Sequence, residues 1–148
     1  MITSEIREFV NRIKLGFIAT ICPDGTPNLS PKGSTIAWDT THLAFADICS
    51  PGTIANLLEN PAIEINVVDI FIRKGYRFKG TARVFSEGEV FNEVVSYYKN
   101  KGAQLAIKNI VLVKVNKIQE ILSPAYDTGA TQEEIRAKWT EYWKLNNK

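Results

Sequence analysis

The sequence predicts a mainly β protein, an antiparallel sheet closed or nearly closed into a small barrel with helices as plugs. Three observations carry that expectation. Five or six apolar stretches of strand length occupy much of the chain, among them GFIATI, HLAFAD and GYRFKGTARVF. Asp24-Gly25, flanked by Pro23 and Pro27, joins the first two strands by a turn too tight for a crossover, so they pair antiparallel. From Tyr76 onward, alternation puts Tyr76, Phe78, Ala82 and Val84 on one face and Arg77, Lys79, Thr81 and Arg83 on the other. So many strands leave long edges unless the sheet closes on itself. A doubly wound parallel sheet would need a helix after nearly every strand.

The chain opens with a helix, because Ile6, Phe9, Val10 and Ile13 recur on one helical face behind Thr3 or Ser4 as its cap. LGFIATI then reads as a buried strand. The run LSPKGSTIAWD has extended character but carries Pro31 and Gly33, which mark an edge, a bulge or a close approach to the backbone. HLAFADI is the third strand. A helix from about Pro51 stops at Asn60, which Pro61 pushes out of helical geometry. AIEINVVDIFI and GYRFKGTARVF follow as longer strands. Ser86 and Glu89 have the spacing of a capping box, opening a helix with Val90, Phe91, Val94, Val95 and Tyr98 as its stripe. IKNIVLVKVNKIQEI is the last strand, or two strand segments. Thr131 and Glu134 form a second capping box, for a final helix at about 131–146 with Ile135, Trp139, Tyr142 and Trp143 on one side. No repeat or boundary interrupts this order, and SPAYDTGA is the only linker-like segment. Residues 1–148 therefore read as one domain with a C-terminal helical extension.

Composition narrows the function. A chain of 148 residues, 45% hydrophobic and 23% charged, is ordinary globular material. No apolar run approaches the roughly 20 residues of a membrane span. The N-terminus is acidic and periodic, unlike a signal peptide. Cys22 and Cys49 lack a CxxC or a histidine-rich neighbourhood, so no zinc site is expected and two free thiols fit a cytoplasmic protein. A net charge of +2 is too small to argue for nucleic acid. The single histidine, His42, sits in the turn-like DTTHL and reads as a surface residue. The Gly-x-Ser-x-Gly, HExxH and Walker sequences are absent, so an enzyme of this sequence would leave the hard chemistry to a cofactor.

The stretch DICSPGTIANL points to what that cofactor carries. Ser50 is a good N-cap, and Pro51 occupies the first helical position, where its missing N–H costs nothing. The backbone N–H groups of Gly52, Thr53 and Ile54 are then free at the positive end of the helix dipole. Gly52 leaves room for a ligand, and the Thr53 hydroxyl adds a donor. This is how a helix binds phosphate, although a Ser-Pro start is also an ordinary helix opening. Two further segments bear on it. SPKGS sets Lys32 beside Gly33 and Ser34 near the third strand, and RKGYRFKG concentrates Arg73, Lys74, Arg77 and Lys79. Either could equally be a solvated face.

Taken jointly, GFIATICPDGTPNLSPKGS, LAFADICSPGTIANLLENP and NVVDIFIRKGYRFKGTARVF resemble the pyridoxamine 5′-phosphate oxidase-like family of FMN-binding split barrels, over roughly residues 5 to 122. The resemblance implies a six-stranded antiparallel Greek-key split barrel with flanking helices, and a homodimer with FMN in a groove between subunits. It also implies a role for each matching residue. Ser30, Lys32, Gly33 and Ser34 would line the flavin ring, with Ala46 and Asp47 along the ribityl chain. Ser50, Gly52 and Thr53 would hold the phosphate. Arg77, with Lys74 or Lys79, would complete the phosphate or ring contacts, in some relatives from the partner subunit.

The chain also departs from the oxidases proper. They carry an Arg-Lys pair where this chain has Gly52 and Thr53, and a basic C-terminal segment where it has TQEEIRAKWTEYWKLNNK. Vitamin B6 oxidation is therefore not expected. The leading expectation is an FMN-dependent oxidoreductase with an unidentified donor and acceptor. The alternative is a flavin, deazaflavin or haem protein that binds or carries electrons without turnover. No residue reads as a substrate-specific acid or base.

Overall fold

The computed structural model describes residues 1–146. The opening helix, α1 (Ser4–Ile13), is capped by Thr3, whose hydroxyl accepts the Ile6 N–H at 3.2 Å. Thr3 takes the role because its backbone is extended, as an N-cap requires, whereas Ser4 is already helical. The stripe of Ile6, Phe9, Val10 and Ile13 packs on the sheet, with Val10 fully buried.

β1 (Gly16–Ile21) and β2 (Pro27–Lys32) pair antiparallel. Asp24 builds the turn between them: its Oδ1 accepts the Thr26 N–H at 3.0 Å and the Thr26 hydroxyl at 2.6 Å, and Gly25 adopts φ 85°. The extended run after Asn28 divides at Gly33 into β2 and a two-residue strand, β3 (Ile36–Ala37). β4 (His42–Asp47) follows, then α2 (Pro51–Glu59), which ends at Asn60 in extended geometry ahead of Pro61.

β5 (Ala62–Asp69) is shorter than its apolar run. Asp69 stops it, since Oδ1 accepts the N–H of Phe71 at 2.9 Å and of Ile72 at 3.4 Å. This Asx-type turn overrides the hydrophobicity of Ile70–Ile72. β6 (Lys74–Phe85) shows the alternation read from the sequence, with Phe78 and Ala82 buried and Arg77, Lys79, Thr81 and Arg83 exposed. It pairs with β7 (Asn109–Leu122), which is one strand rather than two segments. The register shifts between Lys79 and Gly80, where a Cβ would lie 2.4 Å from the Lys114 carbonyl oxygen, so the irregularity depends on glycine.

α3 (Glu89–Asn100) corrects one expectation. The Ser86–Glu89 capping box does not form; Gly88 is the N-cap at φ 98°, with no side-chain cap bond. That backbone turn excludes Ser86 and Glu87 from the helix. The stripe still packs as its spacing predicts, with Val94 and Tyr98 buried beside Val90, Phe91 and Val95. SPAYDTGA is a 3-10 turn (Pro124–Thr128) rather than an open linker. The second capping box does form: Glu134 N–H donates to the Thr131 hydroxyl at 3.2 Å, and that hydroxyl donates to Glu134 Oε1 at 3.1 Å. It opens α4 (Gln132–Asn146), in which Ile135 is the buried residue.

The strands form one seven-stranded antiparallel sheet in the order β2-β1-β5-β6-β7-β4-β3, curled into a half-barrel. The strand beyond the expected six is the short β3. The main core fills the curl with Ile18, Leu43, Phe45, Ile65, Phe78, Val111 and Val113. α3 makes a second core with Ile36, Ala44, Ala46 and Ile110. None of the described helices is long and apolar enough to cross a membrane.

Candidate functional site

Lys32 ends β2, and its ammonium donates to the Ser50 hydroxyl at the first turn of α2. Ser50 is the N-cap by position, yet its side chain makes no capping bond. Its backbone is held instead. The Ser50 N–H donates to Asp47 Oδ1 at 2.7 Å, and its carbonyl accepts the Ile54 N–H at 3.1 Å. Asp47 is buried, and its Oδ2 accepts Asn109 Nδ2 at 2.8 Å while its carbonyl accepts the Lys108 N–H at 2.9 Å. The turn into α2 is thus tied to the start of β7.

Ser34 has a similar positioning part. The Ala46 N–H donates to Ser34 Oγ at 2.9 Å, continuing along β4 the pairing that the two-residue β3 is too short to make. Tyr98 on α3 donates its hydroxyl to the Ser34 carbonyl at 2.6 Å. Burial pushes the Tyr98 phenol well above its ordinary range, against the opposing pull of that bond.

The structure therefore brings Lys32, Ser34, Ala46, Asp47 and Ser50 into one connected cluster. Gly33 and Gly52 border open space: a Cβ on either would meet nothing within 4 Å. Gly52 is exposed in the first turn of α2, where N–H groups lack intrahelical acceptors and the dipole is positive. Thr53 is only 3% exposed, so its backbone rather than its side chain belongs to the opening. Ser30 is half-buried on the edge strand β2, two residues from Lys32 and on the same face. A lysine ammonium at the positive end of a helix is an electrostatic mismatch that an anion between them would relieve. The residues present fit a phosphate-bearing cofactor on that ground.

A cleft of about 370 Å³ adjoins this turn, lined by Asp47, Cys49, Ser50, Pro51, Ile54 and Lys108 among others. Nothing in the sequence pattern around Lys108 and Asn109 marks them as part of a site. The only signal for Asn109 is its register opposite Asp47, which depends on β4 pairing with β7.

Lys74, Arg77 and Lys79 stand apart from this cluster. Arg77 donates from Nε to Asn66 Oδ1 at 3.3 Å and lies 4.0 Å from Glu64. Lys79 borders a separate hollow beside Glu64, and Lys74 lies 4.9 Å from the ring centre of Tyr126. Among the described residues, no hydrogen bond or ion pair joins these three to the α2 turn.

Residues 2–122 match the family model described as pyridoxamine 5′-phosphate oxidase. HupZ of Group A Streptococcus is similar in structure with a TM-score of 0.74 and 31% identity, over 83% of this chain and 96% of that one. An FMN-binding protein from Syntrophomonas wolfei gives a TM-score of 0.65 at 20% identity, over 80% of this chain and 84% of its own. An F420 reductase gives 0.62 at 19% identity, over 79% and 98% respectively. At such identities the last two establish the shared split-barrel fold. The match to the family ends with β7, so the 3-10 turn and α4 lie beyond it.

Proposed function

The chain belongs to the pyridoxamine 5′-phosphate oxidase family, and from that premise we propose that it is an FMN-binding oxidoreductase with a substrate still to be identified. The reading treats it as a cytoplasmic homodimer of single-domain subunits with the cofactor between them. The observation that carries it is the meeting of the Lys32 ammonium with Ser50 at the uncapped N-terminus of α2. The FMN-binding relative of the same fold supports the choice of ligand.

In this reading, Lys32, the Ser50 hydroxyl and the backbone N–H groups of Gly52 and Thr53 hold the phosphate. Ser30 and Gly33 offer the free edge of β2 to the ring. Ser34, Ala46 and Asp47 keep that edge and the α2 turn in register, through the bonds to one another already described. Arg77 and Lys79, on the exposed face of β6, would reach the cofactor of a second copy, whereas Lys74 lies on the other face against Tyr126 and is left out of the site. When bound, FMN supplies hydride and electron transfer, while these residues bind and orient it. Oxidation of pyridoxamine phosphate is not included, since Gly52 and Thr53 stand where the oxidases have a basic pair.

A second reading, non-catalytic binding of a flavin, deazaflavin or haem, is favoured by the scarcity of free acids and bases at the cleft. Asp47 is buried with both oxygens bonded, and His42 lies at the far end of β4. FMN titration of the protein and of Lys32→Met, followed by flavin fluorescence, tests the phosphate assignment. Losing one charge-assisted bond of about 1.5–3 kcal/mol should weaken FMN roughly 10- to 100-fold. Unchanged affinity would remove Lys32 from the site. Turnover with nicotinamide donors then separates the two readings.

A further inference from the structure

The chain's single histidine is not a plain surface residue. His42 opens β4, at the opposite end of the strand from Asp47, about 17 Å away at the usual rise per residue. Its Nδ1 lies 3.0 and 3.1 Å from the two carboxylate oxygens of Asp39 and 2.8 Å from the Thr41 hydroxyl. Asp39 is itself fixed, accepting the N–H of Thr41 at 2.8 Å and of His42 at 2.7 Å. Burial alone would raise its carboxyl, but these bonds and the imidazole hold it below its ordinary value. The ionised Asp39 carboxylate accepts a hydrogen bond from Nδ1–H, which leaves Nε2 as the available pole of the ring.

His42 lines a cleft of about 340 Å³ with Thr81, Arg83, Phe85, Leu112 and Lys114. Pairing explains the convergence: Thr81, Lys114 and His42 are cross-strand neighbours on β6, β7 and β4, and Arg83 faces Leu112 two residues along. Arg83 lies over the Phe85 ring at 5.0 Å. No carboxylate lines the cleft, and among the described residues neither Arg83 nor Lys114 has a carboxylate within ion-pair distance. Two uncompensated cations, an apolar floor and one oriented imidazole acceptor therefore meet in one hollow.

We propose that this cleft binds a small hydroxylated aromatic acid. Arg83 and Lys114 take its carboxylate, Phe85 and Leu112 its ring, and His42 Nε2 accepts the hydroxyl proton in a hydrogen bond. The site shares no residue with the proposed flavin site.

The test uses the full chain, 15N-labelled, titrated with 4-hydroxybenzoate, with its methyl ester and with benzoate. Saturable amide shifts at residues 42, 83, 85, 112 and 114 are expected with the acid, and binding about tenfold weaker or worse with the neutral ester. Arg83→Gln/Lys114→Gln, both exposed positions, should weaken the acid about tenfold or more while flavin retention stays unchanged. Benzoate should bind several-fold more weakly than the hydroxy acid, and His42→Phe should erase that difference, since the cycle isolates the hydroxyl–imidazole pair. Equal binding of acid and ester, shifts confined to other residues, or an unaffected double variant would each overturn the proposal.

Discussion

Gly52 offers a way to probe the α2 N-terminus without disturbing the fold, because a side chain there would enter open space. In Gly52→Asp the carboxylate complements the helix dipole and should leave stability equal or up by about 0.3–1 kcal/mol. The same charge opposes a bound phosphate, so FMN affinity should fall by about 100-fold or more. Thermal melts and FMN titration read the two effects separately, and a parallel loss of both would point to misfolding. Asp39 gives a pH signature. Its folded pKa lies below the ordinary 3.8, so its contribution is present above that value and is lost as pH falls through the lowered one. The stability gap between the protein and Asp39→Asn should shrink as pH falls below 3.8 in acid unfolding curves. It should be small, since Asp39 is half exposed. Ser50 and Gly52 could be singled out in the sequence because capping chemistry is local. The bond from Lys32 to Ser50 could not, because it spans 18 residues and exists only where β2 ends beside α2.

Among the elements, periodicity was the reliable guide and termini were not. β6 alternates as written because side chains in a half-buried strand must face core or solvent in turn. β5 stops early because Asp69 captures the N–H groups of Phe71 and Ile72, a competition that apolar periodicity does not reveal. The two capping boxes make the same point. Thr131–Glu134 forms, whereas Ser86–Glu89 yields to the positive φ of Gly88. α3 depends on Tyr98, whose hydroxyl holds the Ser34 carbonyl beside the proposed ring site. Tyr98→Phe leaves that carbonyl without its partner and should cost about 1–2 kcal/mol in denaturant unfolding. α4 is attached differently, through buried Ile135 and the Arg73 guanidinium stacked 3.5 Å from the Trp139 ring centre. With so little of it buried, its amides should exchange with deuterium well before those of β6 and β7.

For the molecule as a whole, the half-barrel leaves one face of β2, β1, β5 and β6 uncovered. Phe17 and Leu29, 39% and 67% exposed, share a hollow there with Arg77. Exposed apolar side chains grouped on a sheet face suit a protein partner, and the proposed homodimer supplies one. Leu29→Glu should then halve the mass seen by light scattering and release flavin, since Arg77 and its neighbours would no longer reach a second copy. Loss of flavin from a variant that stays dimeric would instead mean that the site does not depend on the pairing. The barrel and its split form could be inferred from the strands, their turns and the family resemblance, but the uncovered outer face could not. That face is uncovered because α3 packs only on the β3-β4-β7 end.

The proposed function rests on the α2 N-terminus, with Lys32, holding the phosphate of a flavin. Its most direct test is to purify the full chain, denature it and identify the released small molecule by mass. The expected product is FMN, close to one per subunit, from a yellow protein whose colour a reductant bleaches. Recovery of no flavin, together with no binding of added FMN on reconstitution, would contradict it.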